Sequence, residues 1–405
     1  MLKKIIVLVG IFFLSSLTAY AENNLNSLWK TVQAEQTQDL PEGLSGAWLE
    51  NITLKGKSKI LFSDLSPFSA LQIMLRLDAM QSSVALPGYL EVKKKFKPFI
   101  NYYLNHRLKD EPYGAIGFWP VWQLEDGTVI RAPSTDPAIR EVTGDTLSAD
   151  SDDSSQMAIW LQKTEPGHPF INAYLKMLEN ILDENRTTQS KKEASWKDIN
   201  SGAFLTWVRE PGSENNVDCV VNINVLTSLS LIKKSVTLSN KLQQAEMNSS
   251  DLIYKALTQS QFPTCSYYYS RWSQFYLALG KLYETGGGVF NADQWKTIRS
   301  AFKSTLLTSW RTKNIQSTNE WAEFLIASQM FGLTKDAELS RTLADIKQYL
   351  LEEVNNENYY SLIEGNDVFR GDVAPGMTLL WYVKAQTATL LLEALIEEKK
   401  AGDLV

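Results

Sequence analysis

Between Gly144 and Trp160 the sequence reads Gly-Asp-Thr-Leu-Ser-Ala-Asp-Ser-Asp-Asp-Ser-Ser-Gln-Met-Ala-Ile-Trp, and four of those side chains are carboxylates. Asp150, Asp152 and Asp153 fall within four residues and run directly into an apolar helical segment. Two kinds of chemistry fit this spacing. Asp and Ser oxygens accept the unpaired N–H groups of a helix's first turn, so Asp150 or Ser151 is a candidate N-cap. Asp152 and Asp153 would then stand where the helix dipole favours negative charge. Alternatively, carboxylates held this close raise one another's pKa, and burial raises it further. A carboxylic acid still protonated at neutral pH is a general acid. Spacing alone favours the cap.

The elements that would position these groups are nearly all helical. Apolar residues recur at helical spacing over Asn23–Thr37, Phe68–Met80 with Pro67 at its start, and Tyr89–Leu108, where Pro98 predicts a kink or a split. His106, near the end of the last of these, reads as a surface or C-capping residue. Further helices are expected at Ser154–Lys163, Phe170–Asn185, Asn215–Lys233, Leu238–Gln259 (with a possible break at Asn248–Asp251), Gln261–Tyr283, Ala292–Ser309, Asn319–Phe331 and Ala337–Val354. Met377–Glu398 reads as a last, unbroken apolar helix. Tyr113–Val129 is instead an aromatic, Gly-rich loop ending in a hairpin-like piece, and Thr135–Ser154 is a long polar connection. Trp196–Glu214 is a second aromatic loop.

Composition bounds the compartment and the partners. Lys3 and Lys4, the apolar run Ile5–Leu17 and Ala19-Tyr20-Ala21 form a secretion-signal pattern, so 1–21 is expected to be removed and 22–405 to be a single mature domain in the periplasm or outside the cell. Loss of those two lysines, with no acid among them, takes the formal net charge from −6 to −8. Such a charge speaks against nucleic acid as a partner. No later apolar run reaches the length of a membrane span; Val217–Ile232 comes nearest but holds Asp218, Asn222 and Asn224. Cys219 and Cys265 are expected to form a disulfide in an oxidising compartment, with two buried thiols as the alternative. With His106 and His168 they do not make a zinc motif, and no metal or cofactor is expected. Asp145, Asp150 and Asp152 partly suit calcium, but the Gly-containing loop of calcium-binding hands is missing.

Several segments share one plan: an aromatic Gly-containing loop, an acidic or Asn-bearing helix start, then an apolar helix. Gly114–Trp122 precedes Asp150–Trp160, Gly202–Trp207 precedes Asn215–Ile232, and Trp310 followed by Ser317–Gly332 is a weaker copy. The period is irregular: 65 residues from Asp153 to Asp218, then 102 from Asp218 to Glu320. Irregular helical hairpins suggest a closed ring whose inner helices start around one cavity. The fold class expected is all-α: an α/α toroid of helical hairpins with aromatic loops and minor β-hairpin pieces.

The chain resembles the α/α-toroid superfamily of terpenoid cyclases and protein prenyltransferase subunits. Asp150-Ser151-Asp152-Asp153-Ser154-Ser155 is similar to the Asp-x-Asp-Asp-Thr-Ala motif of squalene-type and class II diterpene cyclases. Thr206-Trp207 and Asn215–Leu226 resemble an exported, poorly characterised branch of the superfamily. The resemblance implies that Asp152 is the general acid, tuned by Asp150 and Asp153, and that Trp119, Trp122, Trp207, Tyr267 and Tyr268 line the cavity and stabilise carbocations. The match spans 20 residues, Ser154-Ser155 replaces Thr-Ala, and the aspartate-rich metal motif and the zinc ligands of other members are absent. The enzyme it implies is a cyclase, isomerase or lyase acting on an apolar or amphipathic small molecule. Two alternatives stand beside it: a non-catalytic toroid binding a glycan, lipid or peptide, and a carbohydrate-active toroid enzyme with facing carboxylates such as Asp152 and Asp218.

Asp218, Asn222 and Asn224 stand in a Val-Ile-Leu helix and must find partners there. They either cap and hold loops or line the cavity and grip a polar ligand group. Of Tyr267, Tyr268 and Tyr269, no helix could turn all three the same way; Tyr268 or Tyr269 is a candidate cavity wall or proton relay.

Overall fold

A computed structural model describes residues 24–38, 44–55, 59–106, 115–143, 149–184, 200–209, 215–260, 265–266, 268–269, 271–286, 288–315, 317–356 and 378–396. The signal segment 1–21, Asp145 and Tyr267 lie outside the described residues.

After a first helix, α1 (24–34), six helices form a ring. They are α2 (Pro67–Gln81), α5 (Ser151–Thr164), α7 (Cys219–Ile232), α9 (Trp272–Glu284), α11 (Thr318–Met330) and α13 (Lys384–Leu395). Each packs on the next, and α13 closes the circle against α2. Outside them, α3 (Tyr89–Asn105) covers α2, α6 (Pro169–Asn180) covers α5, and α8 (Asn240–Thr258) covers α7. α10 (Ala292–Thr312) packs on α8, and α12 (Ser340–Asn355) bridges α11 and α13. This alternation of inner and outer helices is an α/α toroid.

Because an outer helix returns the chain between one inner helix and the next, the inner helices run parallel. Side-chain contacts agree. Arg76 and Glu393, each nine residues past the start of its helix, form an ion pair. Ser273 in the first turn of α9 reaches Glu323 in the second turn of α11 at 2.7 Å. The six N-termini therefore share one end of the ring.

The sequence reflects each helix's place. α7 is Cys-Val-Val-Asn-Ile-Asn-Val-Leu-Thr-Ser-Leu-Ser-Leu-Ile, apolar all round, and every residue except Leu231 is buried. That is the signature of a helix covered on all sides. α3 and α12 instead bury single stripes, such as Leu343, Ile346, Leu350 and Val354.

Two small sheets complete the fold. β1 (Glu50–Lys55) pairs antiparallel with β2 (Lys59–Asp64) on one side and β5 (Thr378–Tyr382) on the other, in the order β2-β1-β5. This sheet joins the chain entering α2 to the chain entering α13. β3 (Val121–Gln123) and β4 (Val129–Arg131) form the hairpin expected at the end of the first aromatic loop.

Several boundaries differ from the sequence reading. The expected unbroken helix over Met377–Glu398 is a strand followed by α13: Leu379-Leu380-Trp381-Tyr382 is an apolar run as suited to a strand as to a helix, and β1 supplies its partner. α7 starts at Cys219 rather than Asn215, because Asn215 and Asn216 are engaged in holding loops. The polar connection over Thr135–Ser154 contains the short α4 (Pro137–Thr143). The Gln261–Tyr283 segment is helical only from Trp272. α3 runs through Pro98, and α8 is continuous through Asn248–Asp251. There Asn248 donates to Gly202 O (3.2 Å) and Ser249 to Asn222 Oδ1 (2.8 Å), so the polar residues face partners instead of breaking the helix.

Cys219 and Cys265 are bonded, with their Cα atoms 5.4 Å apart and the two positions 46 apart in sequence. The bond ties the start of α7 to the segment leading into α9. Closing a loop of that length restricts the unfolded chain by about 4 kcal/mol in the chain-entropy account. Cys219→Ser/Cys265→Ser should therefore lose roughly 2–4 kcal/mol of stability in denaturant unfolding. A loss below 1 kcal/mol would show that the joint is held without the bond.

Candidate active site

Asp150 is the N-cap of α5, in extended backbone, and its carboxylate accepts the Asp153 N–H at 2.7 Å. The cap reading of the sequence is thus realised. The same residue makes a bridge with Trp207, and Gly117 makes one with Ala149, so both aromatic loops are stitched to the start of α5. Ser151 completes the seam: its N–H donates to Thr206 O (2.8 Å) and its hydroxyl to Leu205 O (3.0 Å). The Ile116 N–H donates to Ser154 Oγ at 3.1 Å.

Asp152 follows on α5 and is 5% exposed. Tyr269 donates a short hydrogen bond to Oδ2, and Asn224 Nδ2 donates to Oδ1 at 2.8 Å. Burial pushes the Asp152 carboxyl up to about 8; the charge of Asp150 adds to this, and the Tyr269 and Asn224 hydrogen bonds oppose it. Burial also raises Asp150, to about 6, against the cap hydrogen bonds that favour its charged form. Asp153 is buried beside them, 1% exposed. The stretch thus holds a cap and a high-pKa acid at once.

Asp218 has another character. It caps α7, accepting from Val220 N (2.8 Å) and Val221 N (3.1 Å). It also accepts from Ser266 Oγ (2.8 Å) and Tyr268 N (3.0 Å). Burial raises its pKa while these donors pull it back. With four donors around it, Asp218 holds structure and is poorly placed to take a proton from a ligand.

The aromatic and amide groups divide. Trp207 Nε1 (2.8 Å) and Asn216 Nδ2 (2.9 Å) both donate to the Tyr268 hydroxyl, and Trp207 meets the Tyr268 ring edge-on. Tyr269 touches the Phe68 ring at the start of α2. Asn215 exchanges two hydrogen bonds with the Trp207 backbone. Asn224 therefore bonds Asp152 directly and Asp218 acts on it by charge, while Trp207, which bridges Asp150, carries Tyr268. Asn222 bonds elsewhere: its amide bonds Phe204 N and O, Asp218 O and Ser249, holding the second aromatic loop between α7 and α8. Trp122 donates its indole N–H to Ala132 O within the β3–β4 hairpin, and Trp119 packs edge-on against Phe118 before it. His106 is the C-cap of α3, bonded to Tyr102 O and stacked on its ring.

Tyr269 is the partner of Asp152 that the sequence reading left least defined, as one of two candidates for a relay. Arg271, two residues after Tyr269, stands by Glu320, the acidic residue of the third repeat, and nothing in the sequence joins the two. Among the described residues no group of three His, Cys, Asp or Glu side chains is disposed to hold a metal ion, and no helix is long and apolar enough to cross a membrane.

The Asp152 carboxyl titrates ordinarily near 3.8 and near 8 in the fold. Between those values the unfolded chain has released a proton that the folded chain keeps, so this group's contribution to stability falls as pH rises. Asp152→Asn, which preserves an acceptor for Asn224, should raise stability at pH 7.5 by more than about 1 kcal/mol and leave it unchanged near pH 4. Equal effects at the two pH values would show that Asp152 is not a high-pKa group.

No family model matches the chain, and no curated protein matches it in sequence. Among solved structures, it is similar to a glycoside hydrolase family 76 mannosidase from Bacteroides thetaiotaomicron VPI-5482. That likeness has a TM-score of 0.47 and 13% identity over 93% of this chain and 97% of the other. It is also similar to a family 76 glycoside hydrolase from a bovine Bacteroides thetaiotaomicron strain, with a TM-score of 0.49 and 14% identity over 93% of this chain and 77% of the other.

Proposed function

We propose that the protein is a carbohydrate-active α/α-toroid enzyme that cleaves glycosidic bonds at the N-terminal end of its inner helices. The observation that carries this is a cluster of buried carboxyls on one helix start: Asp152, held by Tyr269 and Asn224, stands between the cap Asp150 and Asp153, and burial pushes Asp152 up to about 8 and Asp150 to about 6. Environments that separate the pKa values of neighbouring acids assign them acid and base roles. Asp152 gives its proton to the glycosidic oxygen as the bond to the sugar carbon breaks. The second carboxylate, Asp150 or Asp153, either attacks that carbon or takes a proton from the attacking water.

The surroundings favour a polyhydroxylated substrate over an isoprenoid. A carbocation cavity needs bare aromatic faces and few hydrogen-bonding groups. Here the acid is ringed by Tyr269, Asn224 and Asp150, and the nearby Trp207 and Tyr268 are joined through their own polar atoms. The general-acid role read from the sequence is kept, and the terpenoid substrate gives way to a glycan. A disulfide between Cys219 and Cys265 supports an oxidising compartment, as export would supply.

The test is turnover of a panel of aryl glycosides and polysaccharides. Asp152→Asn should lower kcat about 10²–10⁴-fold while staying folded. The wild-type rate should fall on the alkaline side near pH 8, where Asp152 ionises. Azide should restore the rate of Asp150→Ala or Asp153→Ala, whichever carries the second carboxylate. Wild-type turnover by Asp152→Asn would remove Asp152 from the chemistry.

A further inference from the structure

A second polar cluster lies one helix further round the same end of the ring. Arg271, the N-cap residue of α9, stands 3.7 Å from Glu320 in the first turn of α11, and 17% of each side chain stays exposed. Glu323, one turn deeper on α11, accepts from Ser273. Asn319 precedes Glu323 by four residues and so shares its face, the one turned to α9. Asn319 is 6% exposed, and among the described residues its Oδ1 has no hydrogen-bond partner. A buried carbonyl oxygen left unpaired costs about 1–3 kcal/mol, so it marks a place where a donor is missing. The position is continuous with the acid: Tyr269, which holds Asp152, is two residues from Arg271.

The charge balance says what kind of donor fits. Below this cluster, Arg76 pairs with Glu393 and Lys281 donates to Gln72, both inside the ring. Burial pulls the Lys281 ammonium down to about 7, pushes the Glu320 carboxyl up to about 7 and raises Glu323 as well, so these surroundings disfavour added charge of either sign. An ammonium group would bring an uncompensated charge into buried surroundings, which is costly. Neutral hydroxyls supply donors without it, and the Arg271–Glu320 pair offers a donor and an acceptor side by side.

We infer that Arg271, Glu320 and Asn319 form a subsite for the hydroxyls of a further sugar residue of the same glycan chain that Asp152 cleaves, which rests on the glycosidase reading above. Affinity should then grow with chain length, and the growth should depend on α11. The experiment uses full-length Asp152→Asn, which binds without turnover, and titrates gluco-, manno- and galacto-oligosaccharides of two to five units by calorimetry. Affinity is expected to rise with added units, and Glu320→Gln/Asn319→Leu in that background should lose about tenfold for the longer chains and little for the disaccharide. Glu320→Gln alone is isosteric and keeps the comparison decisive if the double change unfolds. Oligosaccharides bound with the same length dependence in both proteins would overturn the subsite and leave the glycosidase reading standing. No oligosaccharide bound, by this protein or by wild type, would overturn both.

Discussion

The Asp218 carboxylate is the joint on which the N-terminal end of the ring depends. Two of its donors, Val220 N and Val221 N, belong to α7; the other two, Ser266 Oγ and Tyr268 N, belong to the segment entering α9. The disulfide sits beside it, joining the next residue, Cys219, to Cys265. A carboxylate with four donors and a neighbouring covalent bond leaves Cys265, Ser266 and Tyr268 little freedom. Tyr269 comes immediately after, and its hydroxyl is thereby delivered to Asp152. The electrostatics of the acid on α5 thus follow from a cap on α7.

Parallel inner helices explain why carboxylates collect at this end. Six helix N-termini point there, and each offers unpaired N–H groups and the positive end of a dipole. Asp150 and Asp218 answer this need as caps. Burial works against it, raising both groups. Asp152 has no cap N–H of its own to offset burial and stands beside the Asp150 charge, so it rises to about 8 where Asp150 rises to about 6. The difference between a structural carboxylate and an acid is therefore a difference in the number of donors, set by one or two positions along a helix start.

Much of this was legible before the structure. Asp and Ser before an apolar run announce a cap, and Cys219 with Cys265 announces a disulfide, because both are short-range or compositional signals. The irregular repeat of aromatic loop and helix start pointed to a closed ring, and the loops do meet at Asp150 and Trp207. What the sequence could not give were contacts between distant helices. Tyr269 and Asp152 are 117 residues apart, Asn224 and Asp152 are 72, and nothing in either segment names the other. The Arg271–Glu320 pair was hidden for the same reason. The strand at Thr378–Tyr382 was hidden differently: a short apolar run has no period, and only its partner β1 decides its form.

The two asparagines of α7 show how far face arguments reach. Spacing grouped Asp218 with Asn222 on one face, and the Asn222 amide does bond the Asp218 carbonyl. It could not tell which way that face turned. Asn222 holds Phe204 and Ser249, on the side of the aromatic loop and α8. Two residues on, a helix has turned by about 200°, and Asn224 reaches Asp152 across α5 instead. One buried helix thus grips the loop with one amide and the acid with the other. The loop in turn seats on α5 through Ser151 and Asp150, next to the group that Asn224 holds. Rotation of α7 would have to break both sets of bonds together, so the buried amides fix the register between the second aromatic loop and the acid.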